Sequence, residues 1–200
     1  MNTTMGTFLP YFIFPLVGYL LGSFPTGVVL SRQKYGIDVR EMGSGNIGAT
    51  NITRVFGWYA GFVTLVLDFV KGFLPAFLVR RFFPDLPWLM ALTAIAIVLG
   101  HCFSLYLKFK GGKGVATSLG CVVVAAPWAA VFGTLAYLIL LFTTRISAVG
   151  SLGGILAISV YVMIAQPSPP TLFLIIAIST IVVIRHEQNI RRLIDGWKKK

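Results

Sequence analysis

Long uncharged apolar runs alternate with short polar segments along this chain, and that pattern predicts membrane-spanning helices. The runs cover residues 8–30, 55–79, 86–107, 115–144, 146–165 and 170–184. Most approach the ~20 residues a helix needs to cross the hydrocarbon core. The second run carries Asp68 and Lys71; the third contains no Asp, Glu, Lys or Arg. The fourth is interrupted by Ala125-Ala126-Pro127-Trp128, so it reads either as one long span or as two short helices broken at Pro127. No Lys or Arg precedes the first run, which therefore reads as a retained helix rather than a cleaved signal.

Charge decides between the two topologies, because Lys- and Arg-rich loops stay cytoplasmic. With the break at Pro127 the chain has seven spans, its N-terminus outside and its C-terminus in the cytoplasm. Fourteen of the 17 basic residues, Lys198, Lys199 and Lys200 among them, then lie inside. Arg80 and Arg81 face out, and Lys71 is buried. With six spans, Arg145 and the tail change sides and the bias disappears. The expected fold is an all-α integral membrane protein with seven transmembrane helices, two of them short. The first short one reads as a partial helix starting at the inner face. No repeat and no low-complexity linker is visible, so residues 1–200 form a single membrane domain.

Composition removes other classes. Hydrophobic residues make up 56% and charged ones 12%, against roughly 25% charged in soluble domains. Disordered, nucleic-acid-binding and secreted disulfide-framework proteins are excluded together. The net charge of +11 reflects where the basic residues sit, not an affinity for nucleic acid. Cys102 and Cys121 lie in apolar surroundings and read as reduced thiols.

Under this topology three polar segments share the cytoplasmic face: 43–54, 109–117 and 185–197. The first contains G-x-G-x-x-G at Gly43, Gly45 and Gly48, but it follows a membrane span rather than a strand, which excludes a dinucleotide fingerprint. The second, Lys110-Gly-Gly-Lys-Gly, is not a Walker loop, since Gly114 stands where Ser or Thr belongs. Both still suit anions, because glycines admit close backbone approach and a helix N-terminus adds partial positive charge. In the third, helical periodicity puts His186, Ile190, Leu193, Ile194 and Trp197 on one face with Asn189 at its edge. Glu187, Gln188, Arg191, Arg192 and Asp195 fall on the other. A plain amphipathic surface helix has the same pattern; the two neighbouring anion segments favour a site.

The remaining candidates are weaker. Asp68 and Lys71, spaced i, i+3, can pair within the bilayer, and their distance from the cytoplasmic end suggests a structural pair. His101 and Cys102 are adjacent and cannot face one another as base and nucleophile. Arg145, Ser147 and Ser151 open a span at the cytoplasmic face and can complete a polar pocket, although topological anchoring explains Arg145 equally well. No metal-ligand cluster is present. Equipment of this kind suits transfer from an already activated donor, by positioning and electrostatics.

The strings GSGNIGATNITRVFG, GHCFSLYLKFKGGKGVATSLG and RHEQNIRRLIDG resemble the three cytoplasmic motifs of the bacterial acyl-phosphate:glycerol-3-phosphate acyltransferases, the PlsY family. The string Asp68-Phe-Val-Lys71-Gly72 resembles a further family feature, and the H-x4-D motif of acyl-CoA-dependent enzymes is missing here too. The resemblance implies transfer of an acyl group from acyl phosphate to the sn-1 hydroxyl of glycerol 3-phosphate, giving lysophosphatidic acid and phosphate. It implies no cofactor, metal, nucleic acid or protein partner, and a bacterial inner membrane with the active site at its cytoplasmic face. By this resemblance Ser44, Lys113, His186 and Asn189 are catalytic. Gly43, Gly45, Asn46, Thr50, Asn51, Arg54, Gly111, Gly112, Gly114, Thr117, Arg145 and Ser151 bind substrate. Lys113, Arg54 and glycines 111, 112 and 114 serve chiefly the phosphates, while Ser44, Asn46, Thr50, Asn51, His186 and Asn189 position the reacting groups. The attacking hydroxyl's proton goes to His186 or to the donor's own phosphate; the second is preferred, with His186 as a hydrogen-bond donor. Departures from the family pattern are Ser104 in place of Pro, Trp58 and Tyr59 where basic residues are common, and Lys198 where a glutamate is frequent. The rival reading is a transporter of phosphorylated metabolites, which would place its site near the midplane between inverted repeats.

Overall fold

The computed structural model describes residues 3–165 and 168–197, and these form helices and connecting loops, with no strand among them. In chain order the helices are α1 (Thr3–Ser23), α2 (Thr26–Tyr35), α3 (Ala49–Phe56), α4 (Trp58–Phe82), α5 (Pro87–Cys102), α6 (Val115–Ala125), α7 (Pro127–Thr144), α8 (Ser147–Ala165), α9 (Pro169–Arg185) and α10 (Glu187–Trp197). Lys198, Lys199 and Lys200, which weigh in the charge argument, lie outside the described residues.

Five segments are long and apolar enough to cross a membrane: Phe8–Tyr35, Trp58–Phe82, Pro87–Leu107, Pro127–Thr144 and Ser147–Ala165. A sixth arises if α9 and α10, bent by 56°, count as one broken span. The chain breaks where the proline predicts. Ala126 closes α6 by donating to the Val122 carbonyl, and Pro127 opens α7, where its missing N–H costs nothing. Pro25 likewise separates α1 from α2.

With apolar faces on both protein and lipid, these helices associate through close packing of small residues. The most extensive contacts are α1 with α5, α7 with α8 and α4 with α6. A Cβ on Gly22 of α1 would overlap the Ile97 carbonyl of α5, and one on Gly100 of α5 would overlap the Tyr19 carbonyl of α1. Gly120 of α6 meets α4 backbone at Phe69 in the same way. The end of α5 is tied to α1 by hydrogen bonds from the Ser104 hydroxyl to the Ser23 carbonyl (2.5 Å) and from the Tyr19 hydroxyl to the Phe103 carbonyl (2.8 Å). Ser104, one of the departures from the family pattern, thus has a defined structural partner.

Helices α4 and α6 run in the same direction. Gly72 packs on the Thr117 backbone, and further along Arg80 donates to the Val124 carbonyl at 2.8 Å. Gly72 lies roughly 21 Å along α4 from Trp58 at ~1.5 Å per residue. Helix α6 therefore begins deep in the bundle, and the loop leading into it descends to the same depth.

Beside that loop is a buried polar group. Asp68 and Lys71 form the expected ion pair at 2.8 Å. Asp68 also accepts from the Thr26 hydroxyl, and Lys71 donates to the Phe24 carbonyl (2.9 Å) that the Pro25 break exposes.

Replacing Gly22 or Gly120 by Leu forces paired backbones apart, an overpacking cost of about 1–3 kcal/mol or more. Thermal unfolding in detergent should show a clear drop in midpoint for either variant, whereas Phe12→Leu on the exposed face of α1 should leave it unchanged.

Candidate active site

The first polar segment is shaped by one buried amide. Gly36, in the left-handed conformation, closes α2, and Asp38 then caps a 3-10 turn at Val39–Glu41. The Arg40 guanidinium bonded to Asp38, with Arg32 at 2.7 Å, holds that carboxyl well below the usual carboxylate range. Asn51, 2% exposed, donates to the carbonyls of Met42 (3.0 Å), Asn46 (3.0 Å) and Val39 (3.4 Å) and accepts the Ser44 N–H at 2.8 Å. Gly43 and Gly45 take positive φ, and a Cβ on Gly43 would strike the Asn51 amide oxygen. Asn46 accepts the Gly48 N–H at 2.9 Å. The expectation that Asn51 handles substrate is corrected here, because its amide is consumed in folding the loop. Ser44 and Arg54 are exposed. Thr50 reaches the Ser147 hydroxyl at 3.2 Å, joining α3 to α8.

The second segment is a glycine turn laid across the end of α5. The N–H of Gly111 donates to the Cys102 carbonyl (3.1 Å) and that of Gly112 to the His101 carbonyl (3.0 Å). These two amides are therefore not the phosphate donors expected of them; their bonds go to α5. Gly114 adopts φ +82° and caps α6, and a Cβ there would crowd the Cys102 sulfur at 2.8 Å. The first amides of α6 beyond it have no partner within the helix, as at any helix start. Thr117, expected as a ligand residue, is fully buried against Gly72, with its hydroxyl unpartnered among the described residues.

The third segment closes over the second at the α9–α10 bend. Arg185 donates through Nε to the Gly112 carbonyl (3.0 Å) and through Nη2 to the Gly111 carbonyl (2.9 Å), with its guanidinium 5.2 Å above the Phe103 ring. Lys113 donates to the Asn189 side-chain oxygen at 2.5 Å. Burial lowers the Lys113 pKa, and the nearby charges of Arg192, Arg185 and Arg54 lower it further. Among the described residues none of these four cations pairs with a carboxylate.

His186 is 1% exposed, and its Nδ1 lies 2.8 Å from the Val182 carbonyl. A carbonyl only accepts, so Nδ1 carries the proton. Burial lowers the imidazole's pKa, with Lys113 adding to the effect against that hydrogen bond. The neutral ring therefore offers a lone pair at Nε2.

A cleft of about 430 Å³ joins the three segments, lined by Arg40, Ser44, Asn46, Lys110, Arg185 and Gln188 together with Asp38, Glu41, Gly45 and Gly111. Sequence reasoning missed Arg40, Lys110, Arg185 and Gln188 as lining groups. The charge of Arg185 at the mouth of the third segment was visible; its carbonyl partners were not. Arg145 is exposed in the left-handed C-cap of α7 with no side-chain partner among the described residues, which agrees with anchoring. Ser151 donates to its own helix, at the Ser147 carbonyl (2.9 Å).

Asn51→Ala strands several backbone groups, a cost of roughly 1–3 kcal/mol for an unsatisfied buried group. Activity and thermal midpoint should fall together in Asn51→Ala, while Ser44→Ala should lose activity at an unchanged midpoint. A normal midpoint in Asn51→Ala would overturn its structural assignment.

Comparison with known proteins fits this geometry. A family model described as glycerol-3-phosphate acyltransferase matches residues 12–196. The glycerol-3-phosphate acyltransferase of Anaeromyxobacter dehalogenans is 46% identical over 188 residues, covering 92% of this chain and 93% of its own length. That of Thermotoga petrophila is 40% identical over 190 residues, covering 95% and 96%. A crystal structure of PlsY, an integral membrane glycerol 3-phosphate acyltransferase, in its glycerol 3-phosphate form superposes with a TM-score of 0.89 at 38% identity, covering 93% of this chain and 92% of its own. Its lysophosphatidic acid form gives 0.87 at 37%. By sequence and by fold, this multi-pass membrane protein is an acyltransferase and belongs to the glycerol-3-phosphate acyltransferase family.

Proposed function

We propose that the enzyme takes its acyl group from an acyl phosphate and delivers it to the sn-1 hydroxyl of glycerol 3-phosphate, releasing inorganic phosphate. The observation that carries this reading is the cluster of Lys113, Arg54, Arg185 and Arg192, which has no carboxylate partner among the described residues. An acceptor with one phosphate and a donor with another supply the missing negative charge side by side.

In this reading Lys113 and Arg54 hold the phosphates, and the first turn of α6 adds its amides and dipole. Gly43, Gly45 and Gly114 shape the backbone around them. Ser44, Asn46, Thr50 and Asn189 position the acyl phosphate and acceptor, and Ser151 steadies the start of α8 through its bond to the Ser147 carbonyl. The C1 hydroxyl attacks the acyl carbonyl carbon, the carbon–oxygen bond to phosphate breaks, and phosphate departs. His186 accepts a hydrogen bond from the hydroxyl at Nε2 and aligns it. Its lowered pKa makes it a weak base, so the proton passes to an oxygen of the donor's phosphate.

We read the site as lying at the cytoplasmic face of a bacterial inner membrane, in a chain of seven spans with the N-terminus outside and the C-terminus inside. Here α6 and α7 are read as separate passes, and the basic residues of all three segments obey the positive-inside bias.

Purified protein given palmitoyl phosphate should release phosphate only when glycerol 3-phosphate is present, with lysophosphatidic acid formed and Lys113→Ala inactive. Release without acceptor would make the protein a phosphatase and overturn the reading. His186→Gln should keep measurable turnover; a loss beyond roughly 10⁴-fold, the upper range for removing a general base, assigns the proton to His186 instead. For topology, single cysteines placed at Gln188 and Asp85 should react with an impermeant thiol reagent from the cytoplasmic and outer sides respectively; labelling of both from one side refutes the orientation.

A further inference from the structure

Beneath the glycine turn lies a buried imidazole to which the acyl transfer assigns no part. His101, near the end of α5, is 4% exposed. Its Nδ1 sits 3.6 Å from the Asp68 carboxylate and has no hydrogen-bond partner among the described residues. Asp68 is itself fixed by the Lys71 ammonium at 2.8 Å and by the Thr26 hydroxyl, so the carboxylate facing the ring has little freedom. The opposite edge of the ring presses on Gly112. A Cβ at that position would overlap Nε2, and the three nearest atoms it would meet all belong to the His101 ring. The His101 carbonyl also accepts the Gly112 N–H at 3.0 Å. One residue therefore touches the turn twice, through backbone and ring, immediately before Lys113.

We propose that His101, backed by the Asp68 carboxylate, is a positioning residue that sets the height of the Gly111–Gly112 turn and so places the Lys113 ammonium on a substrate phosphate. Arg185 holds the turn by its carbonyls from above, and His101 holds it from below. Lys113 gains its contact only where both agree. A displacement of ~1 Å at such a contact is enough to cost on the order of 10²-fold in rate. The proposal rests on the reading that Lys113 binds phosphate.

A double-mutant cycle between Gly112→Ala and His101→Ala tests it, with kcat and KM measured for palmitoyl phosphate and for glycerol 3-phosphate. The Gly112 backbone is outside the left-handed region, so alanine is tolerated there once the ring is gone. Each single variant should raise KM for at least one substrate tenfold or more. The double variant should be no worse than His101→Ala, because removing the ring makes room for the methyl. A purely structural role reduces the folded fraction, which lowers kcat and leaves both KM values unchanged; that result overturns the proposal, as do defects that multiply in the double variant. If His101→Ala is not recovered folded, His101→Asn, whose amide still faces Asp68, takes its place with the same expectations. Lys113→Ala runs alongside. Full activity in that variant refutes the phosphate reading itself, whereas an inactive Lys113→Ala with a multiplicative cycle refutes only the role of His101.

Discussion

The hydrogen bonds from Arg185 to the carbonyl oxygens of Gly111 and Gly112 tie the third polar segment to the second, and the geometry of the site follows from them. The turn's N–H groups are already given to α5, so its carbonyls are left to face the α9–α10 bend. A planar guanidinium reaches two adjacent carbonyls at once, which a lysine ammonium cannot do with the same fixed orientation. The Phe103 ring beneath it supplies a cation–π surface and fixes the guanidinium plane. With the turn clamped, Lys113 meets Asn189 and the elbow at His186 is brought against the same point. Hydrogen bonds to a charged donor are worth roughly 1.5–3 kcal/mol each, enough to order a loop made largely of glycine.

Depth gives this clamp its chemical effect. Because α6 starts level with Gly72, the glycine turn sits well inside the helical bundle rather than on its rim. Attraction between cations and anions strengthens as water is excluded, which favours the phosphates of the proposed function. The short α6 is thus a requirement of the active site. A full-length helix would carry its N-terminus, and the lysine before it, out to the surface.

Much of the framework was legible in the sequence. The Pro127 break, the all-helical architecture and the three polar segments follow from hydropathy, proline chemistry and glycine spacing, which are local properties. The hydrogen-bond partners that the folded loops select were not legible, even between residues close in sequence. Asn51 has a polar side chain next to a glycine-rich loop, as a ligand would, and only its bonds to Val39, Met42, Asn46 and Ser44 show it to be structural. Glycines 111 and 112 carried the expected anion signature, but the carbonyls at the end of α5 took their amides. Asp68 was set apart from the site by counting turns along α4. That count holds for α4 alone and fails because another loop descends to meet it.

Four cations gathered without carboxylate partners among the described residues are a standing electrostatic liability in a protein whose net charge is already +11. Burial and the three neighbouring arginines lower the Lys113 pKa. Local rules of charge pairing are broken in this way where function demands it. A neutralising glutamate within the cluster would stabilise the empty protein and occupy the position a phosphate must take. The same conflict explains the role of Asn189, a neutral oxygen that orients Lys113 at 2.5 Å without cancelling its charge. In the proposed function, substrate phosphates complete the charge balance that the residues of the empty site leave open.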